Sequence, residues 1–243
     1  MDAKGIPTWP DYHPIDKIMA EKERFRKMGE LDIWFREKMC IVVSPDSQIF
    51  KKSMFRYFEK ASLKKEGLSF YTTVDLAISQ ADTADYTAIC TIGVNSENHW
   101  FIVDLRFGRW NPSETIDNIF EVVSIWRPLY VGIEKVAFQA AMMHFLQKEM
   151  VVRNKFFTIK ELLAERKKEL RIQAMQPRFN AGTIWFQEGA EYLEELETEL
   201  LTFPKGLHDD LLDALAYQEQ IASPPVNSFD TVATEDIPLA ASL

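Results

Sequence analysis

The stretch LYVGIE at residues 129–134 is short, apolar and has no polar alternation. A strand of that kind belongs inside a sheet covered on both faces. Its neighbours fit such a sheet. Upstream, LSFYTTVDLAI (68–78), YTAICTIGV (86–94) and HWFIVDLRF (99–107) carry the β-branched and aromatic enrichment of strands, with NSEN (95–98) as a turn, and predict a three-stranded antiparallel meander. Asn111 followed by Pro112 gives the N-cap and first position of a helix that runs to about Trp126. Downstream, AFQAAMMHFLQKEM (137–150) reads as a helix, VRNKFFTI (152–159) as a strand and ELLAERKKELRIQAM (161–175) as a helix. A short strand around TIWF (183–186), an acidic helix and a last helix, HDDLLDALAYQEQIA (208–222), complete the pattern. The order β-β-β-α-β-α-β-α, then one small strand and two helices, predicts an α/β fold with a mixed sheet and helices on both faces.

Residues 1–66 differ in character. Pro7, Pro10 and Pro14 interrupt the start, and IDKIMAEKERFRKMGELDIWFREKM (15–39) is a helical pattern dense in Lys, Arg and Glu. SQIFKKSMFRYFEK (47–60) then alternates basic and aromatic residues. This region is expected to be a linker or the tail of an upstream domain, docked through Phe50, Phe55, Tyr57 and Phe58. The main domain spans 67–221. Residues 222–243 (ASPPVNSFDTVATEDIPLAASL) have proline, small polar residues and no periodicity, as in a flexible tail.

With 243 residues, 47% of them hydrophobic, the chain can bury one well-cored domain plus an appendage. Cys40 and Cys90 lie far apart and outside any CxxC spacing, which argues against a disulfide framework or a structural zinc site and fits a reducing cytoplasm. No apolar run approaches the roughly 20 residues of a membrane span. There is no GxxxxGK[ST] and no GxGxxG, so nucleotide binding of those two kinds has no support. The net charge of −9 taken alone weighs against a nucleic-acid partner. Part of that excess, however, lies in EGAEYLEELETEL (188–200), which reads as a solvated helix face, and part in the acids that follow.

Asp75 sits in the middle of the apolar run YTTVDLAI, and Glu134 ends LYVGIE. Burying an uncompensated carboxylate costs several kcal/mol or more, so each implies a partner, either a salt bridge or a metal. In HDDLLDALAY, Asp213 shares a helix face with Asp210 at i,i+3 and with Asp209 at i,i+4. Acids in a first helical turn also favour the helix dipole, which suffices to explain Asp209. Asp213 lies a full turn further in, among Leu212, Ala214 and Leu215, and calls for a cation. Hard oxygen donors of this kind select Mg²⁺ or Mn²⁺. Two such ions held by carboxylates from separate elements can hydrolyse a phosphodiester, and Asp75, Glu134 and either Asp210 or Asp213 supply the set. Asp82 or Asp85 in ISQADTADY would add a ligand, His208 would orient a carboxylate or shuttle a proton, and Lys135, Lys168, Arg171 and Arg178 would meet phosphates.

With the acids in strand one, at the end of strand four and on a late helix, the pattern resembles the RNase H-like nuclease fold. Within it, VDLAISQADTADYTAI, YVGIEKVAFQ, KKELRIQAMQPRFNAGTIWF and KGLHDDLLDALAY are similar to the nuclease domain of large terminase subunits of tailed bacteriophages, over residues 67–221. FREKMCIV and SQIFKKSMF resemble the segment that joins the terminase motor to its nuclease. The resemblance implies a metal-dependent endonuclease that cuts concatemeric double-stranded viral DNA during packaging, in the host cytoplasm, with two Mg²⁺ or Mn²⁺ ions. It implies Asp75, Glu134 and Asp210 as catalytic ligands, Asp209 and Asp213 as supporting or alternative ones, and Asp85 as an auxiliary acid. It also implies the small terminase subunit, the portal and an ATPase motor as partners. Since the motor's phosphate loop is absent from this sequence, the motor is expected in a longer parent chain or in another polypeptide. The rival readings are another RNase H-like nuclease (a junction resolvase or an exonuclease) and a non-catalytic DNA-binding module of the packaging machine.

Overall fold

The computed structural model describes residues 7, 9–28, 31–38, 48–77, 86–134 and 137–225. Strands β1 (Arg56–Phe58), β2 (Ser69–Asp75), β3 (Thr87–Val94), β4 (Trp100–Gly108), β5 (Tyr130–Glu134), β6 (Ile159–Leu162) and β7 (Ile184–Gln187) form one sheet in the order β1-β7-β4-β3-β2-β5-β6. β2, β3 and β4 are the antiparallel meander, whereas β5 beside β2, β6 beside β5, β7 beside β4 and β1 beside β7 all pair in parallel. The helices are α1 (Ile15–Met28), α2 (Leu31–Lys38), α3 (Pro112–Trp126), α4 (Ala137–Val152), α5 (Lys168–Gln173), α6 (Gln176–Ala181), α7 (Leu193–Thr202) and α8 (Asp210–Ala216). None among the described residues is long and apolar enough to cross a membrane. The mixed sheet with helices is the expected α/β architecture.

Local chemistry explains the boundaries. At the start of α3 the Asn111 side chain accepts from the Ser113 and Glu114 N–H groups, while Glu114 reaches back to the Asn111 N–H, so three otherwise orphaned N–H groups are satisfied. The β3–β4 turn holds Asn98 at φ 61°, and Asn95 Oδ1 accepts from the Glu97 and His99 N–H groups. An Asn tolerates that left-handed conformation and caps its own turn.

The strand expected at 152–159 is displaced. Helix α4 continues to Val152, Asn154 turns at φ 47°, and the Lys155 N–H returns to the Met150 carbonyl, closing the helix with a left-handed cap. β6 therefore begins at Ile159, and the segment ELLAERKK opens as strand and loop, with α5 starting only at Lys168. The packing of β6 on β5 also explains Gly132, where an added Cβ would come within 2.8 Å of Leu162. At the far edge, β1 from the 1–66 segment adds a parallel strand to β7, and Phe50 and Phe55 are buried against Phe179 and Phe186, with ring centroids 4.8 and 5.3 Å apart.

Because alternate residues of a strand point to opposite faces, the central strands feed two cores. Val74, Ile89, Val131 and Ile133 meet Ile119 of α3 and Leu146 of α4 on one side. Tyr71, Cys90 and Trp100 meet α8 and its neighbours on the other.

Candidate metal centre

Parity and register build the acidic centre. Val74 pairs with Ile133 in the parallel β2–β5 ladder, and both turn toward α3 and α4. The next residue on each strand, Asp75 and Glu134, therefore turns the other way, side by side at the carboxyl ends of adjacent strands. Asp75 is 9% exposed, and Glu134 is partly buried.

Helix α8 lies across this end of the sheet, and buried polar bonds fix it there. Thr73, two residues before Asp75, donates its hydroxyl to the Ala214 carbonyl at 2.5 Å. Gln218, in the turn that extends α8, donates to Thr73 Oγ1 at 3.0 Å and to the Cys90 carbonyl at 2.9 Å. From α7, Glu199 Oε2 accepts from the Leu212 N–H at 3.0 Å, one of the first-turn donors that no helix can satisfy internally. The 188–200 stretch is thus not a uniformly solvated face. Glu197 and Glu199 are buried, the first accepting from Lys52 and Tyr57 at 2.6 Å, and the second beneath the start of α8, where burial pushes its carboxyl well above the usual range. Nothing in EELETEL distinguishes these two acids from the less buried Glu194 and Glu195 except what packs on each side of α7: Lys52 and Tyr57 against Glu197, and α8 against Glu199.

The α8 acids are almost fully buried at Asp210 and Asp213, with 2% and 3% exposure. Asp210 Oδ2 accepts from the Tyr86 N–H at 2.9 Å, and its Oδ1 from Lys168 Nζ at 2.8 Å. Lys168 also reaches Asp209 Oδ1 at 2.7 Å. Arg171 grips both oxygens of Asp213, at 2.6 and 2.7 Å, with its guanidinium over the Tyr217 ring. Burial pushes the Asp75 carboxyl far up. The nearby charges of Asp213, Asp210 and Glu134 push it further, and Lys168 pulls the other way. Burial also raises Asp213 in spite of Arg171. For Lys168, burial opposes the charge, but Asp210, Asp75 and Asp209 outweigh it and hold the ammonium protonated well above an ordinary lysine.

The structure brings Asp75, Glu134, Asp209, Asp210, Asp213, Lys168 and Arg171 into one centre. The His208 ring packs at a tilt of 47° against Tyr86, with its Nδ1 3.8 Å from Asp210 Oδ2. Arg178 is committed to Glu219 at 2.6 Å and lies over Trp100. Asp82, Asp85 and Lys135 lie outside the described residues. Glu199, Thr73 and Gln218, which position α8, carried no sequence signal of their own beyond polarity in apolar surroundings.

Among the described residues, no three acidic, histidine or cysteine side chains close on one point as a formed metal cage. The donor chemistry nevertheless fits a divalent cation. Hard carboxylate oxygens arrive from β2, β5 and α8, and among the described residues Lys168 and Arg171 pair with three of the five acids, Asp209, Asp210 and Asp213.

A family model described as the terminase RNase H-like domain matches residues 72–218, from the middle of β2 to the turn after α8. The chain belongs to that family. This terminase RNase H-like domain also superposes on solved relatives. The large terminase nuclease of thermophilic phage G20c with bound magnesium gives a TM-score of 0.53 at 13% identity, over 72% of this chain and 98% of that one. The same nuclease with bound cobalt gives 0.54 at 12% identity over the same shares. The large terminase nuclease domain of Thermus phage P74-26 gives 0.50 at 13%, over 70% and 93%. These likenesses show the RNase H-like fold of the terminase domain. Among curated proteins, none matches the sequence.

Proposed function

We propose that this terminase domain is a divalent-metal-dependent endonuclease that cuts double-stranded viral DNA, the concatemer that a packaging machine processes. The observation that carries the reading is the placement of Asp75 and Glu134 side by side at the carboxyl ends of β2 and β5, with Asp210 brought over them by α8. The magnesium and cobalt in the G20c nuclease structures support a divalent cation here.

Asp75, Glu134 and Asp210 would hold the metal, with Asp209, Asp213 and Asp85 as auxiliary acids. Bound as a pair, Mg²⁺ or Mn²⁺ would activate a water and stabilise the leaving oxygen of the phosphodiester. The chain's own residues set the geometry. Thr73 and Gln218 fasten α8 to β2, Glu199 caps it, and the Tyr86 N–H orients the Asp210 carboxylate. His208, beside Asp210, stands where it could orient that acid or move a proton. Lys135, Lys168, Arg171 and Arg178 are proposed to meet DNA phosphates. The proposed partners are DNA, the small terminase subunit, the portal and an ATPase motor, in the host cytoplasm.

Supercoiled plasmid incubated with Mn²⁺ or Mg²⁺ should be nicked and linearised, and EDTA should stop it. Asp75→Ala and Glu134→Ala should each lose at least about 100-fold in rate, since even outer-shell partners of a metal site cost 10–100-fold. Absence of metal-dependent cleavage, or cleavage by the variants at the wild-type rate, would sink the reading. Preference for a four-way junction over the plasmid would move it to a resolvase.

A further inference from the structure

Helix α5 presents two cations to the acidic centre, and they are held in different ways. Arg171 is bound by a planar fork on both oxygens of Asp213, is 11% exposed and is packed over Tyr217. An always-charged guanidinium in that geometry is a fixture. Lys168 is a point charge on a flexible stem, 32% exposed, shared between Asp209 at 2.7 Å and Asp210 at 2.8 Å. Its field also reaches Asp75 on β2. Its ammonium therefore stands where charge from β2 and α8 is directed, the same acids to which a divalent cation would bind. Two cations a few ångströms apart in a partly buried setting repel strongly, so lysine and metal cannot share those oxygens.

We propose that Lys168 is the resident counter-cation of the acidic centre: it holds Asp209 and Asp210 in the metal-free chain and is displaced when a divalent ion binds. Metal affinity is then the outcome of an exchange, while Arg171 stays on Asp213 throughout. This rests on the reading of the centre as a metal site.

Two measurements on the full chain test it. Mn²⁺ binding, followed by the EPR signal of free Mn²⁺, should be about tenfold tighter in Lys168→Met than in wild type, within the usual range of coupling between competing ligands. Lys168→Arg, which keeps a cation there, should bind no tighter than wild type. Independently of any variant, Lys168 in the wild-type chain should acetylate several-fold faster in saturating Mn²⁺ than in EDTA, as read by peptide mass spectrometry against Lys52 as an internal standard. If wild type binds Mn²⁺ and Lys168 acetylates no faster, the exchange is wrong. A folded Lys168→Met that binds Mn²⁺ no tighter overturns it equally. If wild type binds no Mn²⁺ at all, the metal reading falls and the exchange with it.

Discussion

The two faces of the sheet are built from the same strands and do different work. Toward α3 and α4, Val74, Ile89, Ile119, Val131, Ile133 and Leu146 form an apolar layer with no fully buried acid among the described residues. Toward α8 the core is apolar as well, through Trp100, Phe179 and Phe186, but it is interleaved with Thr73, Asp75, Glu199, Asp210, Asp213 and Gln218. Val74 and Asp75 are consecutive, so one peptide unit separates a residue that only packs from one that can do chemistry. The comparison teaches where the fold tolerates electrostatic conflict: acids crowd one another on the α8 face, whereas on the other face Asp104 and Glu121 are matched by Arg106.

The contrast can be broken most severely at Arg171. Arg171→Ala leaves Asp213 buried with its fork removed, and losing one partner of a buried pair costs about 3–5 kcal/mol. Urea unfolding should show that loss in EDTA, and saturating Mn²⁺ should recover part of it by compensating the unpaired buried charge. Leu146→Ala on the other face should cost about 2–5 kcal/mol through its cavity. That loss should be the same in EDTA and in Mn²⁺, with plasmid cleavage at wild-type rate well below the melting temperature. A metal-sensitive Leu146→Ala would erase the distinction between the faces.

A smaller effect sharpens it. The folded Glu199 carboxyl is held above its unfolded value of 4.5, so the folded state binds the extra proton. Its contribution is fully present below pH 4.5 and is lost as pH rises through the folded value. Glu199→Gln should therefore lose less metal-free stability between pH 5 and the raised value, by up to about 1.4 kcal/mol per pH unit. Thermal unfolding of both proteins in EDTA across that range checks it, and parallel pH profiles would show that Glu199 does not titrate there.

Much of the architecture was legible because its signals are local. The Asn111-Pro112 cap, each strand of the meander and LYVGIE declare themselves within a dozen residues. Asp75 and Glu134 stood out because a carboxylate in an apolar strand is conspicuous, but that the two are neighbours is a fact of register, which no local pattern states. VRNKFFTI misled because Phe156 and Phe157 mimic a strand, whereas the left-handed turn at Asn154 pushes the strand to Ile159. Glu199 was hidden by its company of glutamates. The pairing of Lys168 and Arg171 with α8 depends on how α5 packs against α8, and a basic run in sequence reads first as a surface.

The edge strand β1 has a consequence in time. Arg56–Phe58 pairs with Trp185–Gln187, a stretch made about 130 residues later. At about 5–20 residues per second on a ribosome, that is a wait of roughly 6–26 s. Throughout it Phe50 and Phe55 have emerged before Phe179 and Phe186, the rings that will cover them. The nascent chain thus carries a sticky aromatic segment ahead of its own sheet. That edge is the most distant strand pairing in sequence, and its closure carries the largest loop-closure entropy of any pair in the sheet.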